Sequence, residues 1–492
     1  MRLDFAEATH EKQCEVSLVA TNSYAEWRVR PHGAPAFCET PESPPPERLL
    51  QAIWYHQCLR RDQLRLLDGR AVRVLHPGFW NREAGPDFRR AIVQIEAEAA
   101  RSGDVEVDVH TSGWLGHHHD RNPNFKNVIL HVVWVCDRNT DAPTLVIKDF
   151  VNAPLSELEH WLSHDAQSFP EALKGRCSAP LHGLSPAQWT ELLHQAALVR
   201  LQRKATDLQA RARQAGWEQA LWEGMLRALG YKHNLWPMQC LAELRPRLAS
   251  GENLSVFQLQ ARLLAVGGLL PPELTRNKAS TDKYLRRVWD YWWRERDQLE
   301  DCALPRELWH FAGLRPANHP QRRLALVAHW WLDPKLLGRL QNWFAGENSE
   351  RNPRETLLAV LHVAADEFWS RHWTLRSASL PKARPLLGAP RVTDLAVNVI
   401  LPWFWIRAVE GKNERLQRAA EDRYFAWPSG EDNAVLRLAR HRLFGGAVPR
   451  SFKGAACQQG LLQVVRDYCE RSNALCDHCD FPKLVRDWAR RH

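Results

Sequence analysis

Residues 83–120 decide how this chain is read: EAGPDFRRAIVQI at 83–95 and GDVEVDVHTSGWLGHHHD at 103–120, with NVILHVVWV at 127–135 close behind. In the second run Val105, Val107 and Val109 alternate with Asp104, Glu106, Asp108 and His110, the period of two that marks a half-buried strand. FRRAIVQI and NVILHVVWV read as strands from their β-branched, apolar content. AVRVLHPG at 71–78 adds a strand ended by Pro77-Gly78, and TLVIKDF at 144–150 an edge strand. Carboxylates and imidazoles thus gather on strands in one place.

Working outward, PESPPPE at 41–47 reads as an extended lead-in, with Ser43 as cap and a helix over 46–67 whose buried face is Leu49, Leu50, Ile53, Trp54 and Leu64. From about residue 185 the period changes to helical. Ser185-Pro186 caps a helix running to Gly216, and further helices are predicted near 217–229, 236–248, 256–266, 279–299, 321–345, 354–376, 412–427 and 456–472. The expected architecture is an N-terminal α/β domain, a mixed sheet with helices, followed by a larger, mostly α-helical region. The boundaries read as an extension over 1–42, an α/β domain over 43–155, a helical domain over 156–455 and a cysteine-containing segment over 456–492.

At about 100–200 residues per domain, 492 residues imply two or three domains. The net charge of +9 is compatible with an acidic partner such as nucleic acid and equally with a plain basic surface. The N-terminal MRLDFAEATHEKQ lacks the apolar core of a secretory signal. LLAVGGLL at 263–270 and LAVNVILPWFWI at 395–406 fall short of the roughly 20 apolar residues of a spanning helix, so the expectation is a cytoplasmic protein without a membrane partner.

The order of helix and strands, with Pro86-Asp87 opening one strand and Glu106 on the next, resembles the core of the PD-(D/E)xK nuclease superfamily. That resemblance implies a divalent metal, Mg or Mn, held by Asp87 and Glu106, polarising a phosphate and activating water. The chain departs from the pattern at Asp108, where the superfamily places Lys. Either His110 takes the base or phosphate-contact role, or Asp108 is a third ligand. Glu83, His117, His118, His119 and Asp120 supply further candidate ligands, with His117 and His119 the ones assigned to metal. His131, inside an apolar strand, reads as a hydrogen-bonded core histidine, and Trp114 as a packing residue.

A broader resemblance rests on EAGPDF, GDVEVDVHTSGWLGHHHD, NVILHVVW, GLRPANHPQRR (313–323) and CQQGLLQVVRDYC (457–469), five runs in order. These are similar to the bacterial domain of unknown function 2851 family, which implies a shared fold and site but no activity.

Whether the acids meet depends on hairpin register. A turn near Glu96–Glu98 makes cross-strand numbers sum to about 194 and sets Asp87 beside Glu106 and Asp108. A turn at Arg101-Ser102-Gly103, which Gly103 favours, leaves Asp87 roughly 23 Å from Glu106 along the strand.

Cys457, Cys469, Cys476 and Cys479 follow C-x11-C-x6-C-x2-C, a spacing for zinc or an iron–sulfur cluster, or alternatively buried thiols. Arg315, Arg322 and Arg323 flank a Pro-rich loop, and Arg203 and Lys204 lie on a basic helix stripe. Each set is a candidate phosphate contact, against local capping or a solvated face as the plain reading. VWDYWWR at 288–294 reads as core rather than as a base-stacking platform. The leading functional expectation is a metal-dependent nuclease acting on DNA or RNA through Asp87, Glu106, Asp108 and His110. The alternatives are a non-catalytic nucleic-acid-binding or assembly protein on a nuclease-like fold, and a small-phosphoester hydrolase.

Overall fold

The computed structural model describes residues 21–29, 44–81, 85–116, 119, 122–138, 142–155, 158, 178–231, 234–271, 281–311, 314–346, 352–432, 434–444, 454–469 and 479–491. The chain clusters into two compact units, one within 215–403 and the other within 11–214 and 404–492.

The second unit carries a mixed, six-stranded sheet. Its strands are β1 (Val72–His76), β2 (Phe79–Trp80), β3 (Phe88–Ile95), β4 (Arg101–His110), β5 (Val128–Val135) and β6 (Thr144–Val146), in the order β1-β3-β4-β5-β6 with β2 paired to β3. β1, β3 and β4 are antiparallel, whereas β4, β5 and β6 run parallel. Ala91↔Gly103, Ile92↔Ser102 and Val93↔Arg101 pair across the β3–β4 hairpin, so the chain turns near Glu96–Glu98, and Glu96 takes φ 51° there. Gly103 serves another purpose: a Cβ at this position would stand 2.3 Å from Ile129 Cγ2 and 2.8 Å from the Asn127 carbonyl. Its missing side chain lets the chain entering β5 approach β4.

Helix α1 (Ser23–Val29) joins a core with Trp189, Leu192, Leu461, Val485 and Trp488. Helix α2 (Glu47–His56) packs Leu50, Ile53 and Trp54 against Phe88, Val105 and Leu130 of the sheet. α2 is shorter than the expected 46–67. Gln57 adopts a left-handed conformation (φ 52°), its N–H returning to the Ile53 and Trp54 carbonyls, and this ends the helix. Leu64 is buried all the same, from an extended segment. The expected cap at Ser43 lies outside the described residues. The helix Pro186–Ala215 begins with a reciprocal cap, Gln188 N–H to Ser185 Oγ and Ser185 N–H to Gln188 Oε1.

In the unit within 215–403 the described elements are helical. Trp217–Leu229 and Val256–Val266 match their expected bounds. The segment expected as one helix over 321–345 is two, Pro320–Trp331 and Leu336–Ala345, interrupted around Asp333-Pro334 because proline disfavours a helical residue before it. The expected 354–376 helix stops at Leu361, and the irregular segment beyond it buries Phe368 and Trp369. Ala389–Glu410 forms a continuous 22-residue helix through a π-turn, longer than its apolar stretch suggested. By length and composition it is able to cross a membrane, but 83% of its apolar window is buried within the protein.

In the helix Thr281–Leu299, Val288 is buried, yet Trp293 is 59% exposed with the Arg296 guanidinium lying 3.9 Å over its ring. The expectation of a wholly packed Trp cluster is corrected at that residue.

Candidate metal centre

The hairpin register sets Phe88 opposite Val105 and carries Asp87 alongside Glu106. The two segments are laced together: the Asp87 N–H donates to Glu106 Oε2 (3.0 Å), and the Val107 N–H donates to Asp87 Oδ2 (3.2 Å). Glu106 and Asp108 are two apart on β4 and share a face. His119 brings Nδ1 to 3.6 Å from Glu106 Oε1. Glu106, Asp108 and His119 are all buried, and each offers a ligand atom within 4.8 Å of the others.

Neighbouring groups hold these side chains in place. His131, fully buried on β5, has Nε2 2.9 Å from Asp108 Oδ2, so the expected core histidine is also a partner of the site. Trp114 packs edge-on against His119 (5.5 Å) and at 5.2 Å from the His131 ring, while Phe125 stacks on His119 at 3.9 Å. Gly113 begins the short helix α3 (Gly113–Gly116) directly over Asp108, and a Cβ there would lie 2.8 Å from Asp108 Oδ1.

Two participants escape sequence reasoning. Gln51 of α2 donates to Asp87 Oδ1 (2.9 Å) and to Glu47 Oε1 (3.0 Å). Glu47 and Gln51 are one helical turn apart, a signal visible in the sequence, but only packing of α2 over the strand openings gives it meaning.

Burial drives the electrostatics. It raises the Asp87 carboxyl far above the usual range, opposed by the Gln51 hydrogen bond and reinforced by the charge of Glu47. Burial also raises Glu106, with Asp87 and then Asp108 adding repulsion. Both acids disfavour their charged forms unless a cation joins them.

Other candidates fall elsewhere. The His110 ring faces Asp137, with Nδ1 3.8 Å from Oδ2 at the end of β4, and is not among the three clustered ligands. His117 and Asp120 lie outside the described residues, as do Glu83 and His118. Of the cysteines, Cys457 is buried in the core around Trp189 and Val464, and Cys479 packs against that core. Cys476 and the side chain of Cys469 lie outside the described residues.

Two of the basic candidates, Arg322 and Arg323, are corrected by their surroundings. The buried Arg322 guanidinium donates to the carbonyls of Trp369, His372 (3.0 Å), Arg384 (2.8 Å) and Pro385 (2.8 Å). Arg323 donates to the Leu386 carbonyl (2.9 Å) and to Asn318 Oδ1 (2.6 Å). Neither is presented to a phosphate. Arg315 is exposed. Arg203 is half-buried, and Lys204 donates to Gln459 Oε1 (2.8 Å), an acceptor it shares with Arg200. The basic side chains of that helix stripe are thus half-buried.

The family model described as "Protein of unknown function (DUF2851)" matches residues 47–433. The match takes in Glu47, Asp87, Glu106, Asp108, His119 and His131, whereas the cysteines at 457–479 lie beyond it. No curated protein and no solved structure matches.

Proposed function

We propose, from the premise that the chain belongs to the DUF2851 family of proteins of unknown function, that it is a metal-dependent phosphodiesterase acting on nucleic acid. The observation that carries this reading is the buried trio of Glu106, Asp108 and His119, with ligand atoms within 4.8 Å of one another and Asp87 laced to its edge. Two carboxylates and an imidazole form a donor set suited to a divalent ion such as Mn2+, with Mg2+ the carboxylate-preferring alternative. When bound, such an ion polarises a phosphoryl oxygen and acidifies a water.

The chain's own groups have distinct parts in this reading. Glu106, Asp108 and His119 would hold the ion. Asp87, fixed by Gln51 and the Val107 N–H, would take a proton from an attacking water. His131 keeps the Asp108 carboxylate oriented from the next strand. The Trp114 and Phe125 rings dry the imidazole side of the site. A zinc or iron–sulfur site at Cys457, Cys469, Cys476 and Cys479 is a separate proposal resting on spacing.

A second reading, a nucleic-acid-binding or assembly protein without catalysis, is favoured by Asp108 standing where the nuclease superfamily has Lys. Cleavage assays with Mn2+ or Mg2+ on labelled single- and double-stranded DNA and RNA separate the two. Asp87→Ala and Glu106→Ala are expected to lower cleavage by at least about 100-fold. Binding without cleavage supports the second reading, and cleavage that survives both substitutions removes this site from the mechanism.

A further inference from the structure

Beside the carboxylates, β2 and the start of β3 build a surface of different chemistry. Phe79 is 57% exposed although it lies in a strand. Its cross-strand partner is Arg89, and cross-strand partners project from the same face. The register slips between Phe88 and Ala91, and Arg90 takes φ 55°, a bulge of the kind that re-aims side chains beside functional sites. Through it the Arg90 guanidinium lies 5.9 Å from the Phe79 ring centroid. The His76 ring flanks Phe79 at 4.9 Å, and burial lowers its pKa to about 4, so it is neutral at neutral pH.

This surface is tied to the acids. The Asn81 N–H donates to the Asp87 carbonyl (2.6 Å) and Asn81 Nδ2 to the Pro86 carbonyl (2.9 Å), joining the chain after Phe79-Trp80 to the segment bearing Asp87. Arg89 Nη2 lies 3.3 Å from where a Cβ on Gly85 would stand, which sets the guanidinium against the turn just before Asp87. Arg89 is two residues along the chain from Asp87, about 7 Å at about 3.3 Å per residue of extended chain. On the neighbouring strand, Asp104 Oδ1 accepts from the Arg90 main-chain N–H at 3.1 Å.

We propose that Phe79, Arg89 and Arg90 form a subsite for single-stranded nucleic acid, stacking one unpaired base on Phe79 and holding the adjoining phosphates with the two arginines. The inference deepens the nuclease reading and rests on it for direction: the strand would pass from this subsite to Asp87. An exposed ring with one guanidinium over it and a second arginine on the neighbouring strand matches a base face flanked by phosphates. A duplex hides its base faces in the stack, and an acidic polypeptide would leave the exposed ring without a planar partner.

The test is fluorescence anisotropy of the full chain in EDTA, using labelled 15-nucleotide single-stranded DNA, the same sequence as RNA, and the corresponding duplex. The parent is expected to bind one or both single strands at least about tenfold more tightly than duplex, the DNA and RNA arms deciding which. Phe79→Ala and Phe79→Leu should each weaken single-strand binding by roughly 5- to 100-fold, and Phe79→Trp should retain it. Arg90→Ala should weaken binding and reduce the salt slope by about one. The proposal is overturned if the parent binds no oligonucleotide at low salt, binds duplex equally well, or is matched within twofold by Phe79→Ala and Phe79→Leu. Ring-dependent binding by a parent that cleaves nothing with Mn2+ keeps the subsite and sinks the nuclease reading. Cleavage indifferent to Phe79 and Arg90 does the reverse.

Discussion

Replacing Glu106 by Gln probes the electrostatic heart of the site, because an amide keeps the side chain's shape and can still accept from the Asp87 N–H. In the parent, burial and then the charge of Asp87 raise Glu106 to about 9, while burial and Glu47 raise Asp87 to about 7. Between the unfolded carboxyl range near about 4 and these values, the folded chain binds more protons than the unfolded one. Stability is therefore fully present below the unfolded pKa, declines as pH rises above about 4, and this contribution is lost once pH has passed through about 7 to about 9. Each tenfold change in acidity corresponds to about 1.4 kcal/mol. Treating the two acids as one coupled system puts the loss on the order of a few kcal/mol, or roughly 5–10 °C in Tm for a unit of this size.

Calorimetry in EDTA should show the parent's Tm falling between about pH 6 and about pH 9, with excess Mn2+ restoring it by mass action. Glu106→Gln should flatten the pH dependence, be more stable than the parent in EDTA at about pH 9, and lose most of the response to Mn2+. A parent with level Tm across this window, or a Glu106→Gln variant less stable than it at about pH 9, would refute the reasoning.

Gly113→Ala places a Cβ 2.8 Å from Asp108 Oδ1 and must displace that carboxylate; titration calorimetry is expected to find Mn2+ binding weakened by about 10- to 100-fold, with a stability loss of only about 1–3 kcal/mol. Arg322→Ala removes a buried guanidinium that serves four carbonyls, and urea denaturation should report a loss of at least about 1–3 kcal/mol, the cost of leaving a buried acceptor unsatisfied. Oligonucleotide affinity should stay at the parent's value, and a selective loss of binding would restore Arg322 to the phosphate-contact role.

Much of the sheet is legible in the sequence because strand alternation is local. The valines of β4 and the apolar run of β5 announce strands wherever they sit. The helices over 217–229 and 256–266 are equally plain, since caps and helical period are short-range signals. Breaks such as the end of α2 at Gln57 are not, because a left-handed residue there is selected by the path of the downstream chain and by the side chains packed beneath it.

The acids Asp87, Glu106 and Asp108 can be named from sequence, but their meeting cannot. Gly103 looks like a turn residue; its actual reason is the close approach of Ile129 and Asn127, which no local signal carries. Likewise Arg322 and Arg323 look like phosphate ligands by residue type alone, and only the surrounding carbonyls reveal their structural role.

By itself, then, the sequence determined the longer strands, several helices and the chemical types available around residues 83–136, because backbone preference and hydrophobic period act over a few residues. Tertiary structure decided the hairpin register, the addition of Glu47 and Gln51 from α2, the pairing of His131 with Asp108, and the burial that raises the acids' pKa values. Those features depend on which distant segments exclude water from one another, and that is settled only when the chain has packed.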